Sequence, residues 1–353
     1  LVEGRRGTLE LRANAAALET LQPIFFPDAP FAMAADTGRY RVGGSAQLEA
    51  RIAGSIHDLE ARGRVRATEI LFDRVRLRRA TVTFAAAGVG TDAFRYEVGF
   101  TADSLRAPGR LFATVEGNAT YAEAGGQAEI EAHAILPEPQ HYRVVSDFRH
   151  DGLTATDFDL LEVYARTGAG EWELAEPAGI RVATDGLRVT DLLLRQTDGS
   201  GQIRADGHLA WRADSTAADL PAAFRLDLVD VPVVALRPIE TAEPTVAARM
   251  SGSAVVGGTA GDPRIDAEMI LADVRVGAVR FESLEARAAY ADRLLEATVS
   301  ADREGKQILS GNGRIPIDLR LQPVDERRLD DRLDVEILAD GVPAALFASL
   351  VRG

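Results

Sequence analysis

Through most of its length the chain alternates apolar and polar residues with a period of two, which restricts it to strands with one dry face and one wet face. Ile203, Ala205, Leu209 and Trp211 are interleaved with Arg204, Asp206, His208 and Arg212. Phe224, Leu226 and Leu228 alternate with Arg225 and Asp227, and Ile265, Ala267, Met269 and Leu271 enclose Asp266 and Glu268. Ile315, Ile317, Leu319 and Leu321 alternate with Pro316, Asp318 and Arg320, which puts Asp318 on the wet face; Leu333, Val335 and Ile337 enclose Asp334 and Glu336. Pro316 has no N–H to give to a ladder, so its strand is expected at an edge or a bulge.

Turn formers recur at strand-length spacing: Asp151-Gly152, Thr184-Asp185-Gly186, Thr197-Asp198-Gly199, Asp206-Gly207, Gly257-Gly258, Gly261-Asp262-Pro263, Glu304-Gly305 and Gly311-Asn312-Gly313. The expectation is an all-β chain with short connections. Three places break the pattern as hinges, Ala15 to Phe25, Val231-Pro232 through Leu236, and Val342-Pro343 through Leu350; the first and last, with Leu18, Leu21 and Phe25 or Leu346 and Leu350 at helical spacing, are expected to form a short helix. Pro232 and Pro343 suggest an internal repeat, and a second alignment supports it. Gly44-Ser45-Ala46 with Gly54, Asp58 and Leu59 parallels Gly252-Ser253-Ala254 with Gly258, Asp262 and Pro263. The corresponding division is a first β unit over 1–137, a linking section over 138–217, a second unit over 218–341 and the start of a further one over 342–353, stacked as an elongated repeat array.

Composition narrows the function classes. Forty basic residues against 54 acidic ones leave a net charge of −14, a surface that repels phosphate backbones and argues against a nucleic-acid partner. There is no cysteine, which removes disulfide scaffolds, thiolate metal sites and cysteine nucleophiles together. Lys306 is the single lysine, a skew that reads as genome composition rather than guanidinium chemistry. No stretch reaches the roughly 18 to 20 apolar residues of a membrane-spanning helix. The sequence opens on Leu1 without a methionine and stops at Gly353 after an apolar run, so it is expected to be a piece of something longer, with any signal or anchor outside it.

Three passages carry a family likeness: Gly170-Glu171-Trp172-Glu173-Leu174 with Glu176-Pro177-Ala178 and the strands to Gly207; Gly258 to Ile265 with the strands to Tyr290; and Val231-Pro232 with its echo at Val342-Pro343. In these the chain resembles the TamB family of bacterial envelope proteins, related to AsmA-like and repeating β-groove lipid-transfer proteins. The likeness covers 160–350 well and 1–150 more loosely. It implies a periplasmic trough of β structure, anchored in the inner membrane through a part outside this segment and docked on an outer-membrane protein of the Omp85 type. Its cargo would be phospholipid acyl chains moved between the membranes, or it would support outer-membrane protein assembly.

Alternating strands must cover their apolar face, either with a second sheet or with something the groove holds. In the groove reading the curved sheets have a floor formed by Leu187, Val189, Ile203, Leu209, Trp211, Phe224, Leu226, Leu228, Ile265, Met269, Leu271, Val276, Phe281, Val299, Ile315, Ile317, Leu319, Leu333, Val335 and Ile337. The competing reading is a purely structural β-repeat scaffold or adhesin stalk with a packed core.

Catalytic chemistry is not evident. His57, His133, His141, His150 and His208 are scattered, read as solvated strand residues, and show no ligand spacing, so neither a cofactor nor a metal site is assigned. Ser200 sits between Gly199 and Gly201 in a hairpin turn, not at a strand-to-helix elbow. Asp227 with Asp230, or Asp330 with Asp331, could suggest a glycosidase pair, but glycoside hydrolysis needs a polar, aromatic-lined cleft, and the chain is 6% aromatic. One basic patch stands out: Arg62, Arg64, Arg66, Arg74, Arg76, Arg78 and Arg79, offset by Glu69 and Asp73. Its first six arginines are candidates for an anionic headgroup or partner contact, against the plainer reading of a solvated face that discourages edge aggregation.

Overall fold

The computed structural model describes residues 7–17, 42–55, 58–72, 75–89, 91, 93–107, 110–122, 125–136, 138–152, 154–210, 220–233, 246–276, 279–321, 324, 327–329 and 332–340. These are all-β, and none of them lies in an α-helix. The chain divides after Thr167, inside the section expected to link two units.

The first unit holds β1 (Gly7–Ala15), β2 (Val42–Ser55), β3 (Asp58–Phe72), β4 (Val75–Val89), β5 (Arg95–Ala107), β6 (Arg110–Ala122), β7 (Gly125–Leu136), β8 (Gln140–Asp151) and β9 (Ala155–Thr167). Each strand pairs antiparallel with the next. The second unit holds β10 (Gly170–Leu174), β11 (Ala178–Ala183), β12 (Gly186–Gln196), β13 (Gln202–Ala210), β14 (Ala223–Pro232), β15 (Val246–Gly258), β16 (Pro263–Val276), β17 (Val279–Ala291), β18 (Leu294–Arg303), β19 (Lys306–Pro316) and β20 (Asp334–Ala339). From β11 onward its strands again pair in chain order, and β10 pairs with β12. Meanders of this kind need only short turns. Glu304-Gly305 joins β18 to β19 with φ of 54° and 70°, the two left-handed positions of a tight hairpin whose twist matches its strands.

Two expected turns are strand interiors instead. Asp206-Gly207 lies within β13 and Gly311-Asn312-Gly313 within β19. Gly207 is there for close approach: it takes φ 118°, and a Cβ would sit 2.1 Å from the carbonyl oxygen of Ala223 on the next strand. Val231 and Pro232 likewise end β14 rather than open a hinge, and Val233 after them is a single 3-10 residue; residues 234–236, residues 18–25 and residues 342–350 lie outside the described residues.

The strands are long, up to 15 residues, and the alternation shifts by one part of the way along them. On β3, residues 58–68 alternate exposed and half-buried in strict order; Glu69 then takes φ 51° and the phase flips, so that Ile70 turns inward. Ser104 does the same on β5, and Asp191, Asp230 and Asp273 do so in the second unit with φ of 49–55°. Glu69 and Asp273 support the repeat: each follows a positive-φ glycine, Gly54 or Gly258, by 15 residues on the next strand along. Short polar side chains tolerate this conformation better than β-branched ones, because Cβ crowds the following carbonyl.

The stretch expected to run as a strand through Leu321 leaves the sheet after Pro316. Beyond Arg314 the neighbouring strand β20 has no further partner, and Pro316 pairs only with Leu294. Ile317 and Leu319 therefore do not join the sheet face: Ile317 makes an isolated bridge to Arg328, and the Leu319 N–H donates to the Tyr290 hydroxyl at 2.8 Å. Asp318 does not point outward. It is 2% exposed, and its carboxylate takes hydrogen bonds from Arg320 Nε at 2.9 Å and from the Arg320 backbone N–H at 3.0 Å. Arg293 Nε lies 3.9 Å away, and Arg327 Nη1 donates to the Asp318 carbonyl at 3.0 Å. This knot ties the segment after β19 to the β17–β18 turn.

Two outcomes follow. Asp273→Gly is expected to leave stability unchanged within about 0.5 kcal/mol, whereas Asp273→Val costs roughly 1–2 kcal/mol in urea unfolding because a β-branched side chain is forced into the left-handed region. Asp318→Asn costs about 3 kcal/mol, since it strands the Arg320 charge in a confined site. Burial would push the Asp318 carboxyl up, but the Arg320 hydrogen bonds and the Arg293 charge outweigh it and hold it below the ordinary carboxylate range. Its contribution is therefore complete above that range and lost as pH falls through the lowered value. Acid unfolding of Asp318→Asn, compared with the parent chain, should lack that component.

Candidate functional site

Residues directly opposite one another in an antiparallel ladder point to the same face, so register decides which side chains line a surface together. In the second unit Leu187 faces Leu209, and Val189 faces Gly207, which faces Phe224. Ile203 faces Leu228, and Leu226 faces Ala254. Ile265, Tyr290, Leu295 and Ile315 form one row across β16 to β19, and Met269, Ala286, Val299, Gly311 and Ile337 another that reaches β20. Leu271 faces Leu284, while Val274 and Phe281 pack with Ala301 just past the Asp273 kink. Val335 stands opposite Gly313.

Fifteen of the twenty expected floor residues therefore share one face of this unit: Leu187, Val189, Ile203, Leu209, Phe224, Leu226, Leu228, Ile265, Met269, Leu271, Phe281, Val299, Ile315, Val335 and Ile337. Ile317 and Leu319 left the sheet, as described above. Leu333 precedes the first β20 pair, Asp334 with Arg314, and stands exposed outside the ladder. The Val276 side chain and Trp211 lie outside what is described.

Of the fifteen, only Val189, Leu228 and Phe281 are buried; Val335 and Ile337 are 50% and 52% exposed, and the rest are half-buried. A sheet covered by a second sheet buries its inner side chains at crystal-like density. Here most of these fifteen side chains keep contact with solvent, while Ala205, Leu228 and Tyr290 on the same face are buried and Val274, Phe281 and Ala301 form a packed cluster.

The first unit repeats the arrangement. Leu48, Val65, Val82, Phe100, Gly117, Ile130, Val144 and Val163 form one apolar row from β2 to β9, with the Phe100 ring lying over Gly117, where a Cβ would meet it at 2.6 Å. At one end Tyr96, Tyr121 and Phe148 stack at centroid spacings of 5.2 and 5.9 Å.

The opposite faces are charged. In the second unit Arg287 and Glu268 pair at 2.8 Å and Arg314 and Glu296 at 2.7 Å, around a 760 Å³ hollow also lined by Ser253 and Asp266. The two carboxylates considered as a catalytic pair are each held by an arginine of their own. The Arg225 guanidinium, 2.6 Å away, keeps the Asp227 carboxyl below its usual range; Asp230 is held down by Arg249 and then by the Ser200 hydroxyl. Asp330 and Asp331 lie outside the described residues.

Of the basic patch, Arg62, Arg64 and Arg66 share the wet face of β3, and Arg76, Arg78 and Arg79 are exposed on β4. Arg74 lies outside the described residues. Glu60 stands 3.7 Å from Arg62 and Glu49 3.7 Å from Arg66, exposed pairs that contribute little to stability.

Two histidines are not isolated. Register puts His141 directly opposite His133, with Glu131 two residues along the same face. The signal was present in the sequence, since both lie four residues from Pro137 and a hairpin folded there must pair them. His150 instead meets the Tyr96 hydroxyl at 3.0 Å and Thr156 Oγ1 at 3.1 Å.

If the apolar face of the second unit is open, Leu226→Ala should cost well under the roughly 2–5 kcal/mol of a packed core leucine, whereas Phe281→Ala should cost about 3 kcal/mol or more; urea unfolding of the two variants checks the contrast. No protein-family model, curated protein or solved structure matches this chain.

Proposed function

We propose that the apolar face of each unit carries phospholipid acyl chains, and that the chain is a periplasmic segment of a TamB-like bridge between the inner and outer membranes. The supporting observation is the half-exposed apolar face of a single sheet: Leu226 on β14, Ile265 and Met269 on β16 and Val299 on β18 share that face yet are not packed away. Water in contact with such a face is unfavourable by about 25 cal/mol per Å², and a saturated hydrocarbon tail relieves that penalty without directional chemistry. The ten strands β11 to β20 have nine spacings of about 4.8 Å, so a tail lying across them has contacts along its whole length. Adhesion is then distributed over many weak contacts, which lets a tail slide. The inner-membrane anchor, the Omp85-type partner and a contribution to outer-membrane protein assembly belong to this reading through the family resemblance.

The test places a carboxylate on that face. The parent chain, produced in a bacterial periplasm, is expected to co-purify phospholipid detectable by mass spectrometry of an organic extract. Leu226→Glu and Met269→Glu should keep the parent's circular dichroism and cooperative melting while losing the lipid. Glu296→Gln, on the wet face, should change neither. Lipid-free parent protein, or unfolding of both glutamate variants, would favour the structural scaffold with a closed core.

A further inference from the structure

We infer that Glu131, His133 and His141 form a binding site for a divalent transition metal ion of the zinc type on the wet face of the first unit. Strand register builds it: His133 and His141 are a direct cross-strand pair on β7 and β8, and Glu131 is the next same-face residue on β7. Both imidazoles turn the same nitrogen toward one carboxylate oxygen. Glu131 Oε1 lies 3.1 Å from His133 Nε2 and 2.7 Å from His141 Nε2, and the three ligand atoms fall within 4.8 Å of one another. The rings are parallel, 3° apart in plane, with centroids 4.5 Å apart.

These separations suit a shared ion. Zinc takes nitrogen and oxygen ligands at about 2.0–2.2 Å, so neighbouring ligand atoms in a tetrahedral shell lie roughly 3.3 Å apart. The His133 contact is close to that, and the His141 contact reaches it if the partly exposed carboxylate retreats by about half an ångström, the N–O spacing zinc sets. Two imidazoles and one carboxylate favour a borderline transition ion over calcium or magnesium, which want an all-oxygen shell. The ring of Tyr164 meets His141 edge-on at 5.4 Å.

The surrounding charge points the same way. Glu116 on β6 stands directly opposite Glu131, a like-charge pair that a cation would relieve. Arg143, directly opposite Glu131 on β8, offsets part of that charge, but its hydrogen bonds go elsewhere, Nε to Glu129 at 2.9 Å and Nη1 to Glu162 at 3.0 Å. Three protein ligands leave coordination positions open, and Glu131 also borders a 360 Å³ hollow lined by Thr81, Thr83, Thr101, Glu116 and Asn118.

The experiment uses the full chain without a histidine tag, stripped with chelator and titrated with ZnCl2 at pH 7.5 by calorimetry, with cobalt(II) absorption as a second reading. One ion per chain is expected to bind with a micromolar dissociation constant. His133→Gln and His141→Gln should each weaken it at least thirtyfold, and Glu131→Gln about tenfold, in the range by which ligand-shell changes alter affinity. His208→Gln, on a different unit, should leave binding as in the parent. Circular dichroism establishes that each variant is folded, as expected for partly exposed positions. Absence of saturable binding by the parent, or equal binding by the His133→Gln/His141→Gln double variant, would overturn the inference and leave the three residues as a proton-bridged surface cluster.

Discussion

Cross-strand register is the constraint on which everything else in this chain depends. In a meander each strand inherits its phase from its neighbour, so one in-register hairpin sets the inside and outside of every strand that follows. Ile265, Tyr290, Leu295 and Ile315 line up over four strands because three consecutive hairpins preserve the same phase. The same rule gathers the polar side chains: Glu268 meets Arg287 and Glu296 meets Arg314 because the wet face is as strictly ordered as the dry one. A slip of one residue at a single turn would exchange the two faces for the rest of the unit.

Strands of 12–15 residues cannot stay flat, since each twists about its own axis. The left-handed residues accommodate this. Glu69 and Ser104 in the first unit, and Asp191, Asp230 and Asp273 in the second, each shift the alternation by one, and at Glu69, Asp191, Asp230 and Asp273 the register of one neighbouring ladder shifts as well. The Asp230 carboxylate uses the kink to collect Arg249 and Ser200, so the shift that disturbs the ladder is also where an ion pair is seated. Recurrence of this device at the same distance from Gly54 and Gly258 argues that the two units are variations on one supersecondary plan.

The half-exposed dry face and the crowded wet face suggest different uses. The dry face is mostly Leu, Ile, Val, Met, Phe, Ala and Gly, with tyrosines such as Tyr290 and Tyr121 among them, chemistry suited to nonspecific hydrocarbon contact. The wet face carries cross-strand pairs whose identity matters, of which His133 with His141 is the case with ligand chemistry. A chain of net charge −14 with paired carboxylates such as Glu116 and Glu131 on adjacent strands is a reasonable host for a cation.

The all-β class and the dry and wet faces were legible from Ile203, Leu226, Met269 and their neighbours, because strand periodicity is local and needs no knowledge of partners. Three things were not. Alternation cannot show where a ladder ends, so Ile317, Leu319 and Leu333 look like strand residues although β20 pairs only as far as Arg314. It cannot tell a turn glycine from one that admits a neighbouring strand, which is why Gly207 and Gly311 read as turns. Nor can it show which distant side chains meet. Asp318 sits in the outward half of the pattern, yet the chain's departure from the sheet closes Arg320, Arg293 and Arg327 around it. Periodicity is a property of single strands; burial, ion-pair partners and ligand clusters are properties of register between strands, and those exist only once the hairpins have closed.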